Sequence, residues 1–190
     1  MTASNPDSRS LTRRQLASGL LVAGAACLPA TANAGPALDG EADAALARLY
    51  AANAKARELG QRARAVLIFP SIAKAGLLVG GQTGKGVLQT VGEPARYYRI
   101  TAASYGLQAG AQTYSYALFF MTRSSLDYLH VSDGWSIGTG PSVVFIDEGF
   151  ARTLNTTTLT QDVYAIAFGQ RGLMAGTGLE GAKISPISAP

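Results

Sequence analysis

The sequence predicts an α+β domain: a curved glycine-rich, mainly antiparallel β-sheet or barrel-like core packed with an N-terminal helix and one or two short helices. Three observations lead to this fold class. Apolar residues recur at helical spacing between Leu38 and Ala56, short apolar and alternating runs follow from Val66 onward, and 22 of the 190 residues are glycine. We expect one domain, assigned to residues 35–190.

Residues 1–34 have the pattern of a secretory signal peptide. Arg13-Arg14 precedes an apolar run from Leu16 to Leu28, and Ala32-Asn33-Ala34 supplies the small-x-small site that a signal peptidase cleaves. The paired arginines resemble those of a twin-arginine export signal. The apolar run is shorter than the about 20 residues that a membrane span needs. We therefore expect an exported bacterial protein that is periplasmic or associated with the cell envelope.

Cys27 leaves a second fate of the N-terminus open. Gly24-Ala25-Ala26-Cys27 resembles a bacterial lipobox, in which the cysteine is acylated and becomes the anchored N-terminus of a lipoprotein. In the other interpretation, Cys27 is a small apolar residue of the signal and is lost on cleavage after Ala34. Cleavage is the preferred interpretation, because Gly24 replaces the usual aliphatic residue of the lipobox.

The domain is predicted to begin with one helix from Asp39 to Arg64. Its apolar positions share one face, and Asp39 is the candidate N-cap. Four cations gather toward the far end, where they interact favourably with the helix dipole. These are Lys55, Arg57, Arg62 and Arg64.

The residues from Val66 onward predict the sheet. Val66–Phe69 is predicted as a buried strand that Pro70 ends, and Gly84-Lys85-Gly86 as a hairpin turn. The other predicted strands are two within Tyr97–Met121 and one each in Val143–Ile146 and Val163–Phe168.

A second helix is predicted from Thr122 to His130. Ser124 is its candidate cap, and Leu126 and Leu129 are expected to face inward. His130 is the sole histidine, and a lone histidine at a helix end is expected to have a structural role. The single cysteine excludes a disulfide framework and a cysteine-based zinc site within one chain, and the sequence has no G-x-S-x-G motif. We therefore expect a protein that is not an enzyme and that holds no cofactor or metal.

A pattern of two glycines flanking three residues occurs three times. The three copies are Gly76-Leu-Leu-Val-Gly80, Gly106-Leu-Gln-Ala-Gly110 and Gly172-Leu-Met-Ala-Gly176. In a strand, both glycines lie on one face and leave it bare. The preferred interpretation is a tightly curved or closely packed sheet, and the alternative is a surface against which an acyl chain lies.

Several ordered blocks resemble motifs of the SYLF lipid-binding domain family, and together they extend over roughly Leu38 to Ile184. The blocks are Ala65-Val-Leu-Ile-Phe-Pro-Ser-Ile-Ala-Lys-Ala-Gly76, Gly84-Lys-Gly-Val-Leu88, Tyr105-Gly-Leu-Gln-Ala-Gly-Ala-Gln112, Phe119-Phe-Met-Thr122, Phe168-Gly-Gln-Arg-Gly-Leu-Met-Ala-Gly176 and Leu179-Glu-Gly-Ala-Lys-Ile184.

The resemblance implies lipid binding. Eukaryotic relatives bind phosphoinositide membranes, with a basic amphipathic N-terminal segment implicated, and some bind actin. In an exported protein, the corresponding partner is anionic phospholipid or another envelope amphiphile, bound peripherally at the membrane. The residues expected to contact it are the helix cations Lys55, Arg57, Arg62 and Arg64, together with Lys74 and Lys183. Lys85 and Arg171 also lie in the matching blocks, where any cation can instead be a solvated charge at a strand end.

Net charge argues against a nucleic-acid partner. Residues 35–190 carry 13 basic and 11 acidic side chains, a net charge of +2 that supplies no dense basic stripe. The sequence identifies no protein partner. A second function therefore stays open, in which the chain is a structural or protein-interaction domain of the envelope and its N-terminal helix completes the core.

Overall fold

The computed structural model describes residues 34–76, 79–105, 110–147, 160–172 and 181–190. The predicted signal peptide lies outside the described residues except for Ala34, and Cys27 lies outside them as well. Residues 32–190 form one compact unit.

The described residues form three α-helices and one eight-stranded sheet. The helices are α1 (Ala34–Ala52), α2 (Ala54–Arg62) and α3 (Arg123–Val131). The strands are β1 (Ala65–Gly76), β2 (Val79–Thr90), β3 (Arg96–Tyr105), β4 (Gly110–Phe120), β5 (Trp135–Ser136), β6 (Val143–Asp147), β7 (Val163–Gly172) and β8 (Lys183–Ile187). Their order is β5-β8-β3-β2-β1-β4-β7-β6, with β6 and β7 parallel and the other neighbours antiparallel. The predicted α+β class with a mainly antiparallel sheet is confirmed.

The sheet curls strongly, as the sequence predicted. Trp135 on β5 and Phe120 on β4 lie five places apart in the strand order, yet their ring centroids are 6.0 Å apart. Five places in a flat sheet would separate them by about 24 Å, since neighbouring strands lie about 4.8 Å apart. The sheet is therefore a half-barrel whose inner, concave face is filled by side chains.

Each face of the sheet is covered by helix over part of its area. On the inner face, α3 contributes Leu126 and Leu129 to the core, which confirms their predicted inward orientation. On the outer face, α1 and α2 bury their apolar side chains against the sheet. These are Leu38, Ala42, Ala45, Leu49, Ala56 and Leu59. The apolar stripe of the N-terminal segment thus belongs to the core.

The single predicted helix from Asp39 to Arg64 is two helices, because Asn53 interrupts it. Asn53 has extended backbone angles, φ −141° and ψ 103°, and its side-chain Oδ1 accepts hydrogen bonds from the backbone N–H groups of Lys55 and Ala56, both at 3.0 Å. An asparagine N-cap satisfies donors that the start of a helix otherwise leaves unpaired. Helical spacing of apolar residues continues across the break, which is why the sequence pattern did not reveal it.

Replacing Asn53 by alanine is expected to lower the free energy of unfolding by about 0.5–2 kcal/mol, because the α2 cap is lost. The residue is 1% exposed, so water cannot easily replace the missing acceptor. Urea denaturation followed by circular dichroism measures the change. Asn53→Ser is the control, since serine also caps helices, and it should retain most of the stability. Equal losses in both variants would show that packing, not capping, is the role of Asn53.

Two predicted helix caps are wrong. Helix α3 is capped by Thr122, whose Oγ1 accepts from the backbone N–H of Ser125 at 3.3 Å, while Ser124 is already helical. Asp39 lies inside α1, where its carboxylate accepts a hydrogen bond from the Tyr97 hydroxyl at 3.1 Å. The Asp39 side chain therefore ties the helix to β3 and does not begin it.

The sequence predicted that Pro70 ends the first strand. In the structure, Pro70 instead lies at a β-bulge within that strand. The pairing of β1 with β2 shifts by one residue between Ile68 and Ser71, and the pairing of β1 with β4 shifts between Phe69 and Ile72. Proline is tolerated in a sheet at a bulge because the ladder there does not require its missing N–H. The strand continues to Gly76.

The glycines of Gly84-Lys85-Gly86 form the middle of β2 and not a hairpin turn. A Cβ on Gly86 would lie 2.5 Å from Phe69 Cδ1, and a Cβ on Gly84 would lie 2.8 Å from the carbonyl oxygen of Ser71. Both contacts are closer than side chains allow, so the glycines let β2 approach the bulged part of β1. The two glycines thus have a structural role, but that role is to allow close packing between strands and not to form a turn.

The glycine-flanked repeats meet at one end of the sheet. Gly76 pairs with both Gly80 and Gly110, and Gly172 pairs with Gln112 of the adjoining strand. The central residues of each repeat lie at least partly outside the described residues. Both interpretations of the repeats therefore stay predictions.

Candidate functional site

The six predicted lipid-contacting residues do not form one site. At least two of the four helix cations are engaged within the N-terminal segment. Lys55 forms an ion pair with Glu58, with 3.1 Å between Nζ and Oε2, and Arg57 donates a hydrogen bond to the carbonyl oxygen of Tyr50 at 3.0 Å. Arg62 and Arg64 are exposed at the end of α2, beside the end of the sheet opposite to Lys74.

Lys74 lies on the inner face of the sheet and is only 9% exposed. Its partners in register are Gln82 on β2 and Gln112 on β4, which are also buried. The Tyr114 hydroxyl donates to Gln82 Oε1, and burial raises the pKa of Tyr114 to about 12. This buried polar row faces the core, so Lys74 is separated by the sheet from any ligand on the outer face.

The bulge at Pro70 is the reason that Lys74 faces inward. Alternate residues of a strand point to opposite faces, so an extra residue reverses the alternation beyond it. Ile68 belongs to the outer-face core, while Ile72, four residues later, belongs to the inner one. A regular strand would have placed Lys74 on the outer face with Ile68.

A second bulge has the opposite effect on Arg171. In β7, Phe168 pairs with Ser115 and Arg171 pairs with Thr113, so three steps along β7 match two along β4. Phe168 lies in the outer-face core, and the extra residue brings Arg171 to the same face, where it is exposed. Gly169 adopts φ +64° at this bulge, a conformation that favours glycine.

Five exposed cations consequently lie on the half of the outer face that the described helices leave uncovered. Paired residues of antiparallel strands point to the same side, so Lys85 and Arg99 lie next to each other in one row. In the next row, a line of small residues runs between Arg171 and Lys183. The small residues are Thr113, Ala73, Thr83 and Thr101. Arg48 of α1 completes the group, which we name the basic face: Arg48, Lys85, Arg99, Arg171 and Lys183.

The charges of the basic face are not neutralised within the described part of the chain. Its five cations form no ion pair with a described carboxylate, whereas Lys55 and Arg123 each have one. The side chains in the row between Arg171 and Lys183 are alanine and threonine, which are small and let a partner approach the sheet closely. The surface is therefore suited to an anionic partner.

Arg48 and Arg171 also line a cavity of about 300 Å³, which we name the arginine pocket. It lies where the bulges of β1 and β7 flank β4, and bulges of this kind often lie beside binding sites. In its wall, Ser115 Oγ donates a hydrogen bond to the carbonyl oxygen of Pro70 at 2.7 Å. The polar residues of its wall are Arg48, Ser71, Thr113, Ser115 and Arg171.

Of the five cations of the basic face, the sequence analysis selected only Lys183 as a lipid contact. Lys85 and Arg171 were noted in the family-like blocks, and Arg48 and Arg99 were missed. The pairing of Lys85 with Arg99 would have followed from the β2–β3 register, but the predicted turn at Gly84-Lys85-Gly86 concealed it. Arg48 had no sequence signal, because its position depends on how α1 crosses the sheet.

The described residues show no feature of a metal centre or a membrane-spanning helix. They contain no group of three His, Cys, Asp or Glu side chains placed to hold a metal ion. Among the described helices, none combines the length and the apolar character needed to cross a bilayer.

The pKa of His130 is lowered by burial and by the charge of Arg96, and its Nε2 has no hydrogen-bond partner among the described residues.

Residues 101–188 match the family model described as "Ysc84: Las17-binding protein actin regulator", also called the SYLF domain. The match includes Arg171 and Lys183 of the basic face, while Arg48, Lys85 and Arg99 precede it. No curated protein matches the chain. The SYLF domain is associated with lipid binding and actin regulation. The match agrees with the motif blocks read from the sequence, and the chain is a SYLF-family protein.

Proposed function

We propose that this protein binds membranes peripherally, by placing the basic face on anionic phospholipid. The observation that carries the proposal is the basic face, whose five exposed cations surround a row of small residues and form no ion pair with a described carboxylate. A basic residue near an anionic membrane surface contributes about 1 kcal/mol. Arginine adds bidentate hydrogen bonds to phosphate oxygens. Five cations acting together thus supply several kcal/mol of salt-sensitive attraction.

The basic face explains binding better than the N-terminal helix does. An interfacial helix inserts an apolar face into the bilayer. In this chain, the apolar side chains of α1 and α2 are packed against the sheet, and Lys55 and Arg57 are engaged within the segment. Membrane insertion of the helix would require its release from the core.

The proposed function is non-catalytic, and we propose that it is carried out at the cell envelope. The pattern of residues 1–34 supports export. An exported protein has easier access to anionic phospholipid than to actin. Mass spectrometry of the protein isolated from its producing cell tests this location. A chain beginning at Gly35 supports cleavage, an acylated Cys27 supports the lipoprotein, and an uncleaved chain contradicts export.

Neutralising Lys85 and Arg99 together is expected to weaken binding to anionic vesicles about 30-fold, which corresponds to about 2 kcal/mol. The measurement is co-sedimentation of residues 32–190 with vesicles of phosphatidylcholine, alone or mixed with phosphatidylserine, at low and high salt. The unchanged protein should bind only the mixed vesicles, and salt should weaken that binding. The variant is Lys85→Gln/Arg99→Gln.

The matched control is Arg62→Gln/Arg64→Gln, which removes the same charge from the end of α2. This control should bind nearly as well as the unchanged protein. A larger loss of vesicle binding in the control than in the Lys85/Arg99 variant would show that the end of the helix, and not the basic face, contacts the lipid. Absence of binding to both kinds of vesicle would reject lipid binding.

The second candidate function is a structural or protein-interaction domain without a lipid ligand. The observation favouring it is that α1 and α2 are packed into the core, as expected for a helix that only completes the fold. Failure of all vesicle binding in a folded protein would support this function.

A further inference from the structure

We propose that the arginine pocket is a subsite for a phosphate monoester group, chiefly that of a lipid headgroup. This inference rests on the proposed membrane function and adds to it a preference among anionic lipids. The pocket is built from four separate elements of the chain: α1 supplies Arg48, β7 supplies Arg171, β1 supplies Ser71, and β4 supplies Thr113.

The polar groups of the pocket favour an anion. No described carboxylate lines it, and neither arginine forms an ion pair with a described residue. The Ser71 and Thr113 side chains are exposed hydroxyls that can donate hydrogen bonds. The carbonyl oxygen of Pro70, an acceptor in the wall, is already occupied by Ser115 Oγ. What the pocket offers to a ligand is therefore positive charge together with hydrogen-bond donors.

Two guanidinium groups distinguish a phosphate monoester from the phosphodiester of most phospholipids. A monoester carries a charge of about −1.5 to −2 at pH 7 and has three oxygens that accept hydrogen bonds. Arginine binds such oxygens in pairs through its planar donor fork, which lysine lacks. The cavity of about 300 Å³ is at the lower end of the range for small-ligand pockets. A phosphate group is therefore a better match than a whole lipid.

The floor and the position of the pocket support the same ligand. Phe168, which is buried, forms part of the lining, and a nearby apolar group strengthens an interaction between charges. Because Arg171 and Arg48 belong to the basic face as well, a headgroup in the pocket would sit beside a membrane held by Lys85 and Arg99. Arg48 and Arg171 thus serve both the general attraction and the subsite, whereas Lys85 and Arg99 serve only the general attraction.

The test compares vesicles containing phosphatidic acid, a monoester, with vesicles containing phosphatidylserine, a diester, matched in total charge. The unchanged residues 32–190 are expected to bind the phosphatidic acid vesicles about tenfold or more tightly, as hydrogen bonds to charged groups allow. Arg171→Lys keeps the charge but loses the donor fork. Its preference for phosphatidic acid over phosphatidylserine should fall to about twofold or less. Arg48→Gln should also lose the preference.

Lys85→Gln is the control outside the pocket, and it should weaken binding to both vesicles equally and leave the preference intact. Glycerol 3-phosphate, followed by titration calorimetry, tests the free monoester. Equal binding to the two vesicles would overturn the subsite and leave the proposed function standing. Binding of glycerol 3-phosphate that Arg171→Lys abolishes, without vesicle binding, would uphold the pocket and reject the membrane. Absence of binding to every probe would reject both, provided circular dichroism shows folded variants.

Discussion

Replacement of Trp135 by alanine is expected to lower the free energy of unfolding by about 3–5 kcal/mol. Trp135 is 1% exposed on the short strand β5, and its ring lies 6.0 Å from that of Phe120 across the curled sheet. Its Nε1 donates a hydrogen bond to the carbonyl oxygen of Thr139 at 2.8 Å, so its polar atom is satisfied. Removing the indole leaves a cavity where β4 and β5 meet. Urea denaturation measures the loss, which is a large part of the 5–15 kcal/mol typical of a domain.

Val91→Ala is the matched control for the loss of an apolar side chain. Val91 lies in the turn between β2 and β3 and is 97% exposed, so its truncation should change the free energy of unfolding by less than about 0.5 kcal/mol. A loss below about 1 kcal/mol for Trp135→Ala would mean that the two ends of the sheet do not depend on this contact. The half-barrel would then be less closed than described.

Replacement of Gly86 by alanine is expected to destabilise the protein by about 1–3 kcal/mol, although alanine normally suits a strand better than glycine. The added Cβ would lie 2.5 Å from Phe69 Cδ1 and 2.7 Å from the carbonyl oxygen of Ile68. A backbone oxygen cannot move without disturbing the pairing of β1 with β2. The change in the urea midpoint measures the effect.

Gly81→Ala in the same strand is the control and should have the opposite sign. Its Cβ would lie 3.6 Å from the carbonyl oxygen of Ala102, an ordinary contact, and the position is exposed. Alanine should there stabilise the strand by about 0.5–1 kcal/mol, because glycine loses more conformational freedom on folding. Equal effects at Gly81 and Gly86 would show that close approach of β1 does not explain the glycine at position 86.

The bulge at Pro70 links the fold to the proposed site. It requires glycine on the neighbouring strand at position 84, where a Cβ would lie 2.8 Å from the Ser71 carbonyl oxygen. It also turns Lys74 to the inner face and helps to form the wall of the arginine pocket. A feature that the sequence marks only as a strand-breaking proline thus determines which residues face the proposed site.

Local patterns predicted most of the secondary structure. The strands in Tyr97–Met121, Val143–Ile146 and Val163–Phe168 are observed, because alternation and glycine punctuation act over a few residues. Predictions failed at Asn53 and Pro70, as they did at the Gly84-Lys85-Gly86 turn. At Asn53, a capped break preserved the apolar stripe, and at Pro70 a bulge carried the strand past a residue that usually stops it.

The candidate site was less predictable than the fold. Of six selected cations, only Lys183 lies on the basic face, and Lys74 faces the core. Arg48 and Arg99, which the sequence analysis did not select, lie on that face. Charge counts and motif blocks do not specify which strands are neighbours, so they cannot bring Lys85 next to Arg99.

The sequence by itself determined the α+β class, the curvature of a glycine-rich sheet, and membership of a lipid-associated family. These properties follow from the spacing of apolar residues and from contiguous motifs, which are local in the chain. Only the tertiary structure decided which face each cation occupies, because a single extra residue in a strand reverses every side chain beyond it. Two such residues, one in β1 and one in β7, turn Lys74 inward and Arg171 outward.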